Sequence, residues 1–355
     1  MSPTRPVLDL DTFLTAVYCL ADDFFRQHCT ARKPRRPGHR PELSDSEVLT
    51  LALLAQWWPD NSERAFCAYA ADHWRAYFPR LLEGSALNRR IRDLTGVLAL
   101  FGPALAARAR AELGLAPAAY AVLDGAPVPL MQRCRGQRHR VFTCEAAIGK
   151  GGPQKDWYYG LKELLVVDEH GFLTGFVAGP ANTDERLLLE ALLRWRHDPR
   201  APLPTGPELE RLLGPTHGRG GGHRQGPTGP VGPRLGAGRP RWAPLLADLG
   251  YRGDAWQAHW ADDLAAVVLT KETIGARVGR AGDRGLVRAF NGARQIIERA
   301  VGRLEDQFHL AFPRARSLVG LWARLGAKVA AANALLYLNR ACGRPPEAHF
   351  NPFLA

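Results

Sequence analysis

The chain has 355 residues, a formal net charge of +12 and 46% hydrophobic residues. Such a composition excludes a fibrous or wholly disordered chain and suffices for two hydrophobic cores at roughly 150 residues each. No window approaches the ~18 continuous apolar residues of a membrane-crossing helix, and the arginine-rich excess points to a polyanionic partner, nucleic acid before a membrane surface.

The opening MSPTRPVLDLD has no basic region followed by an apolar one, so a cytoplasmic, nucleoid-associated chain is expected. Cys19, Cys29, Cys67, Cys134, Cys144 and Cys342 form no CxxC pair, which argues for free thiols. The spacing of Cys134, His139 and Cys144 fits no standard zinc site.

Apolar residues from Leu8 to Phe25 recur at helical spacing and predict an amphipathic helix. The stretch from Arg32 to Arg40 is basic and broken by prolines, which leaves a solvated connector or a segment that tracks phosphates. Ser44 with Glu47 reads as a capping box ahead of a second helix. A third helix is expected over Ser62–Tyr77 and a longer one from Ser85 toward Leu113, with Gly102-Pro103 as the place for a break. Arg89, Arg90 and Arg92 lie near the start of that helix, as they would in the second helix of a helix-turn-helix, although arginines on a helix more often form a solvated face.

The pattern changes at Ala119. Ala121-Val122-Leu123-Asp124-Gly125 reads as a buried strand that delivers one carboxylate to its end, closed by Pro127 and Pro129. Asp156–Val167 and Gly171–Ala178 form a hairpin pattern, and a helix follows from Thr183. Residues 204–240 are rich in Gly, Pro and Arg and too poor in apolar side chains to form a core. Pro244–Tyr251 repeats the design of the first strand, with Asp248 in the place of Asp124. A short helix, a strand at Ala265–Leu269, a helix over Leu286–Phe308 carrying Glu298, and a last amphipathic helix through Leu336 complete the order. This order predicts an α/β fold with a mixed sheet flanked by helices, preceded by an all-helical N-terminal domain.

If the two Asp-bearing strands run parallel as neighbours, Asp124 and Asp248 emerge side by side, and Glu298 can reach them from a helix crossing the sheet. Clustered carboxylates repel unless cations lie between them, and all-oxygen ligands favour Mg²⁺ or Mn²⁺. On these residues, together with Leu123–Pro129, Tyr159-Gly160-Leu161-Lys162, Asn182-Thr183-Asp184, Ala247–Tyr251 and Arg294–Glu298, the chain resembles bacterial insertion-sequence transposases of the Asp-Asp-Glu (DDE) type.

The resemblance implies a ribonuclease-H-like core over residues 116–342, an N-terminal DNA-binding domain over 1–115 and a tail over 343–355. It further implies two Mg²⁺ ions, with Mn²⁺ as substitute, held by Asp124, Asp248 and Glu298. Its substrate is double-stranded DNA, cut at the element's ends and joined to target DNA, and a homodimer is expected because two ends must meet. Lys162 and Arg294 are candidate phosphate contacts. A nuclease that only hydrolyses, or an inactive DNA-binding remnant, are the alternatives. Asn291 and Glu305 stand where many relatives carry Tyr and Lys.

Overall fold

The computed structural model describes residues 9–29, 41–136, 141–143, 145–152, 156–197, 243–273 and 284–353. The basic connector 32–40, the Gly/Pro/Arg tract 204–240, His139 and Cys144 lie outside the described residues. Contacts divide the chain into a helical unit, Met1–Leu115 with Arg303–Ala355, and a sheet unit, Ala116–Gly302.

In the helical unit, α1 (Leu10–His28) starts at Asp9, whose carboxylate accepts the Thr12 N–H at 2.7 Å. Helix α2 (Asp45–Leu54) has the expected capping box: Glu47 N–H donates to Ser44 Oγ, and Ser44 N–H donates to Glu47 Oε2. Helix α3 spans Glu63–His73.

The long helix expected from Ser85 is two, α4 (Gly84–Asp93) and α5 (Thr95–Glu112). The break falls at Leu94 rather than at Pro103, which lies inside α5. At the break the Thr95 hydroxyl donates to the Arg92 carbonyl at 2.6 Å, a side-chain bond that competes with helix continuation.

The sequence assigned everything from 116 to 342 to the sheet domain. Instead the last helix, numbered here after those of the sheet unit as α10 (Leu318–Ala341), belongs with the helical unit. Its side chains from Leu321 to Leu336 are buried almost all round, so it must be enclosed by other helices rather than laid on a sheet. Glycines allow the approach: a Cβ on Gly326 would stand 3.0 Å from the Leu98 backbone, and one on Gly102 would stand 2.7 Å from Val329. The expected tail is packed too. Phe350 meets Phe13 with ring centroids 4.9 Å apart, and Phe353 stacks on Trp74 at 5.5 Å.

The sheet unit is built on β1 (Ala121–Met131), β2 (Ala147–Gly151), β3 (Asp156–Asp168), β4 (Leu173–Pro180), β5 (Leu245–Leu246) and β6 (Val268–Leu269). Strand β3 is central to one half, antiparallel to β1, β2 and β4; β1, β5 and β6 run parallel on the other side, in the order β3-β1-β5-β6. The expected hairpin is β3–β4, closed by the Asp168 carboxylate accepting the N–H groups of His170 and Phe172. Strand β2 and the short α6 (Arg133–Gly136) had no clear sequence signal.

β1 does not stop at Asp124 as its prolines suggested. The Ala121 N–H donates toward the β5 side, to the Pro244 carbonyl, so residues of the same parity turn their nitrogens away from β3. Pro127 and Pro129 share that parity, and β5 has ended before it reaches them, so no ladder bond is lost.

Helix α7 (Glu185–His197) covers β4, and α8 (Asp254–Leu264) packs beside it. The two are joined by Glu190, whose carboxylate meets His259 Nε2 at 3.0 Å and accepts the Trp260 indole N–H at 3.2 Å. Helix α9 (Arg284–Asp306) buries Ala293, Ile297, Ala300 and Leu304 along one stripe. The result is a mixed α/β architecture with an open mixed sheet flanked by helices. Among the described residues no helix is long and apolar enough to cross a membrane.

The closeness of α5 and α10 sets a stability test. Gly326→Val gains at most about 1 kcal/mol of helix propensity but forces a side chain into the Leu98 backbone, an overpacking cost of about 1–3 kcal/mol. Urea unfolding is expected to show a net loss; an unchanged midpoint would mean that the helices do not meet here.

Candidate functional site

The site follows from the pairing of β1 with β5. Their register joins Ala121 to Leu245 and Val122 to Leu246, so two further residues along each chain bring Asp124 opposite Asp248. Side chains alternate along strands, so both carboxylates leave the same face. Asp248 has left the ladder but keeps an extended backbone, and its carboxylate accepts the Gly250 N–H at 2.8 Å. It therefore also serves as the turn residue that a strand-end Asp commonly is.

Asp124 is 29% exposed. Burial raises its carboxyl above the ordinary value; the Gly125 N–H and Arg294 pull it back, while the charges of Glu185 and Asp248 push it further up. The Arg294 guanidinium, on α9, stands 3.5 Å from Asp124 Oδ2. Lys162, on β3, is paired with Glu185 Oε1 at 3.0 Å. A Cβ at Gly125 would lie 3.1 Å from Glu185 Oε1 and 3.4 Å from Lys162 Cδ, so the pair packs closely over the glycine.

Tyr251 is fully buried beside these acids, with its hydroxyl turned to Glu185. Burial and then the charges of Glu185, Asp124 and Asp248 hold that phenol well above its ordinary pKa. Tyr158, also buried, is raised for the same reasons by burial and Glu185.

Glu298 is exposed on α9, one turn beyond Arg294 on the same flank. No ion pair joins it to Arg294, whose carboxylate partner is Asp124. The structure thus brings together Asp124, Asp248, Lys162 and Arg294, adds Glu185 and Tyr251, and leaves Glu298 outside that group. Among the described residues no three of His, Cys, Asp or Glu stand as a metal-holding group. Asp124 and Asp248 nevertheless fit a hard divalent cation in donor chemistry, since the charges of Asp248 and Glu185 push the Asp124 carboxyl up and mark a deficit of positive charge.

The arginines expected at DNA separate by role. Arg90 is half-buried and holds Asp45 Oδ1 at 2.6 Å and the Leu43 carbonyl at 3.1 Å, which makes it a brace between α4 and the start of α2. Arg89 and Arg92 are exposed on α4. Glu185 and Tyr251 were missed as site residues, although Glu185 adjoins Asn182–Asp184 and Tyr251 closes Ala247–Tyr251, two stretches that stood out in the sequence. One tryptophan is distinguished as well: Trp157, at the start of β3, is 52% exposed, with the Arg133 guanidinium 5.4 Å and Lys150 Nζ 5.8 Å from its ring.

Comparison with known proteins gives no matching family model, no similar curated protein and no similar solved structure.

The raised Asp124 carboxyl fixes the sign of a pH effect. Above both its unfolded and its folded pKa the native state bears an ionised, partly buried acid, and that cost disappears as pH falls to the ordinary Asp value near 3.8. Asp124→Asn is therefore expected to raise the melting temperature at pH 7, with the gain gone by pH 4. A destabilised variant at pH 7 would show that the Arg294 pairing outweighs the burial.

Proposed function

We propose that this chain is a DNA-cutting and DNA-joining enzyme of the Asp-Asp-Glu transposase kind, on a ribonuclease-H-like core. The observation that carries the reading is the β1–β5 register, which aligns Asp124 with Asp248 across 124 residues of chain, much of it irregular in composition. The parallel β1, β5 and β6 beside the antiparallel β3–β4 hairpin are compatible with such a core.

When bound at Asp124, Asp248 and Glu298, Mg²⁺ or Mn²⁺ ions supply the positive charge that activates an attacking oxygen and stabilises the leaving one in phosphodiester chemistry. The chain's own residues do the rest. Arg294 neutralises Asp124 and stands where a phosphate oxygen would approach. Glu185 orients the Lys162 ammonium, which also donates to the Thr183 carbonyl at 3.4 Å. Glu298, exposed one turn beyond Arg294, would have to leave the solvent to join Asp124 and Asp248. Trp157, exposed and attended by Arg133 and Lys150, offers a base a stacking surface with phosphate-binding cations close by. On this reading double-stranded element ends and target DNA are the partners, and a homodimer brings two ends together.

A second reading has an observation of its own. The exposed position of Glu298, outside the group formed by Asp124, Asp248 and Glu185, favours a remnant that binds element ends without cutting them.

Labelled DNA carrying the gene's own flanks, incubated with Mg²⁺ or Mn²⁺, separates the two. Nicking at one flank position is expected, reduced at least ~100-fold by Asp124→Asn, Asp248→Asn or Glu298→Gln and about 10–100-fold by Glu185→Gln, which disturbs a positioning group. A wild type that binds the flanks and never cuts them supports the remnant. Hydrolysis without joining to a second duplex leaves the plain nuclease. In the same assay Trp157→Ala is expected to weaken binding of DNA with unpaired bases by about 1–3 kcal/mol, and equal affinity would remove the stacking role.

A further inference from the structure

The helical unit contains a cleft of about 1370 Å³ between α3, α4, α10 and the segment that leads into α10. Arg64, Arg89, Arg92, Arg314, Arg316 and Arg324 line it, against the acids Glu63 and Glu83. Glu63 is already engaged, by Arg324 at 2.6 Å and by the Asn88 amide. Among the described residues no carboxylate pairs with Arg64, Arg89, Arg314 or Arg316. Like charges gathered this way repel in the free protein, and an anion relieves the repulsion.

The segment bearing Arg314 and Arg316 is held in an unusual shape. His309, Phe312 and Arg314 have φ of 51°, 52° and 53°, the left-handed region that side chains with a Cβ disfavour. Such a conformation persists only where its surroundings dictate it. Here they do. The buried Lys328 ammonium donates to the Phe308 carbonyl, and His309 Nε2 donates to Trp58 O at 3.2 Å. Asn61 Nδ2 donates to Phe312 O at 3.2 Å, and Arg324 donates to Pro313 O. Burial, and then the Lys328 charge, keeps His309 below its usual pKa and so neutral, which spares the segment another buried cation. The two arginines are thus presented by a fixed scaffold toward Arg89 and Arg92, more than two hundred residues earlier in the chain.

We propose that this cleft binds the phosphate backbone of duplex DNA, with Arg314 and Arg316 completing a site begun by Arg89 and Arg92. Its volume exceeds what a small metabolite fills. Its one lining aromatic, Phe66, is buried, so the cleft offers charge without a surface on which unpaired bases could stack. Guanidinium forks in fixed positions suit successive phosphates. The proposal rests on the chain binding DNA, as read above, but not on its cutting it.

Fluorescence anisotropy of the full chain with a duplex of about 30 base pairs tests it, since each lost phosphate contact lowers the slope of log K against log salt by about 0.9. Arg314→Gln with Arg316→Gln is compared with Arg26→Gln and Arg80→Gln, an equal charge change away from the cleft, and melting temperatures check that both fold. The cleft pair is expected to lower affinity at least ten-fold and the slope by about two, with the control pair near wild type. Equal losses from both pairs, or tighter binding of single-stranded DNA through the same arginines, would overturn the proposal. Intact, arginine-dependent binding by a chain that never cuts its flanks would sink the catalytic reading and leave the cleft standing.

Discussion

The alignment of β1 with β5 is the constraint on which the sheet unit depends. A parallel pair needs a crossover, and its register cannot be set by a tight turn as it can in a hairpin. Here β5 is interior on both faces, Leu245, Leu246 and Ala247 all being buried, and the register is held by the ladder itself, with the Ala121 N–H donating to Pro244 O and the Leu245 and Ala247 N–H groups donating to Val267 O and Leu269 O. Once that register is fixed, Asp124 and Asp248 must face each other at the point where β5 leaves the sheet. Arg294 offsets part of their repulsion from α9, and Lys162 on β3 engages the nearby Glu185.

The helical unit answers a different demand. α10 is apolar nearly all round, so the chain must return after the sheet unit to be enclosed by helices made at its beginning. The glycines of α5 and α10 permit that return, and the aromatic side chains Phe350 and Phe353 close it. The return also brings a strained, arginine-bearing segment to α4. A domain boundary drawn along the sequence at a single point cannot represent such an arrangement. The change of pattern at Leu115 was visible because helical periodicity ended there, whereas the second crossing falls inside α9, where periodicity continues unbroken.

Local order was legible wherever side chains act on near neighbours. The capping box at Ser44, the β3–β4 hairpin and the helical period of α1 and α9 depend on residues a few positions apart. The prolines of β1 misled because their cost depends on which strand lies alongside, and that is a tertiary fact. For the site, Asp124 and Asp248 stood out because each ends an apolar run before glycine. Glu185 and Tyr251 did not, since an acid in a first helical turn and a tyrosine near a strand end have ordinary local explanations.

The sequence by itself determined the mixed α/β class, the helical start, the two apolar runs that lead to Asp124 and Asp248 and the excess of positive charge, because periodicity, capping and composition act over short distances. Only the tertiary structure decided that Asp124 faces Asp248, that Glu185 and Tyr251 join them while Glu298 stays at the flank, and that Arg90 braces the fold. It alone gathers Arg89 and Arg92 with Arg314 and Arg316. Those outcomes depend on strand register and on which helix faces meet, and both are settled by hydrogen bonding and burial of apolar surface between segments distant in the chain.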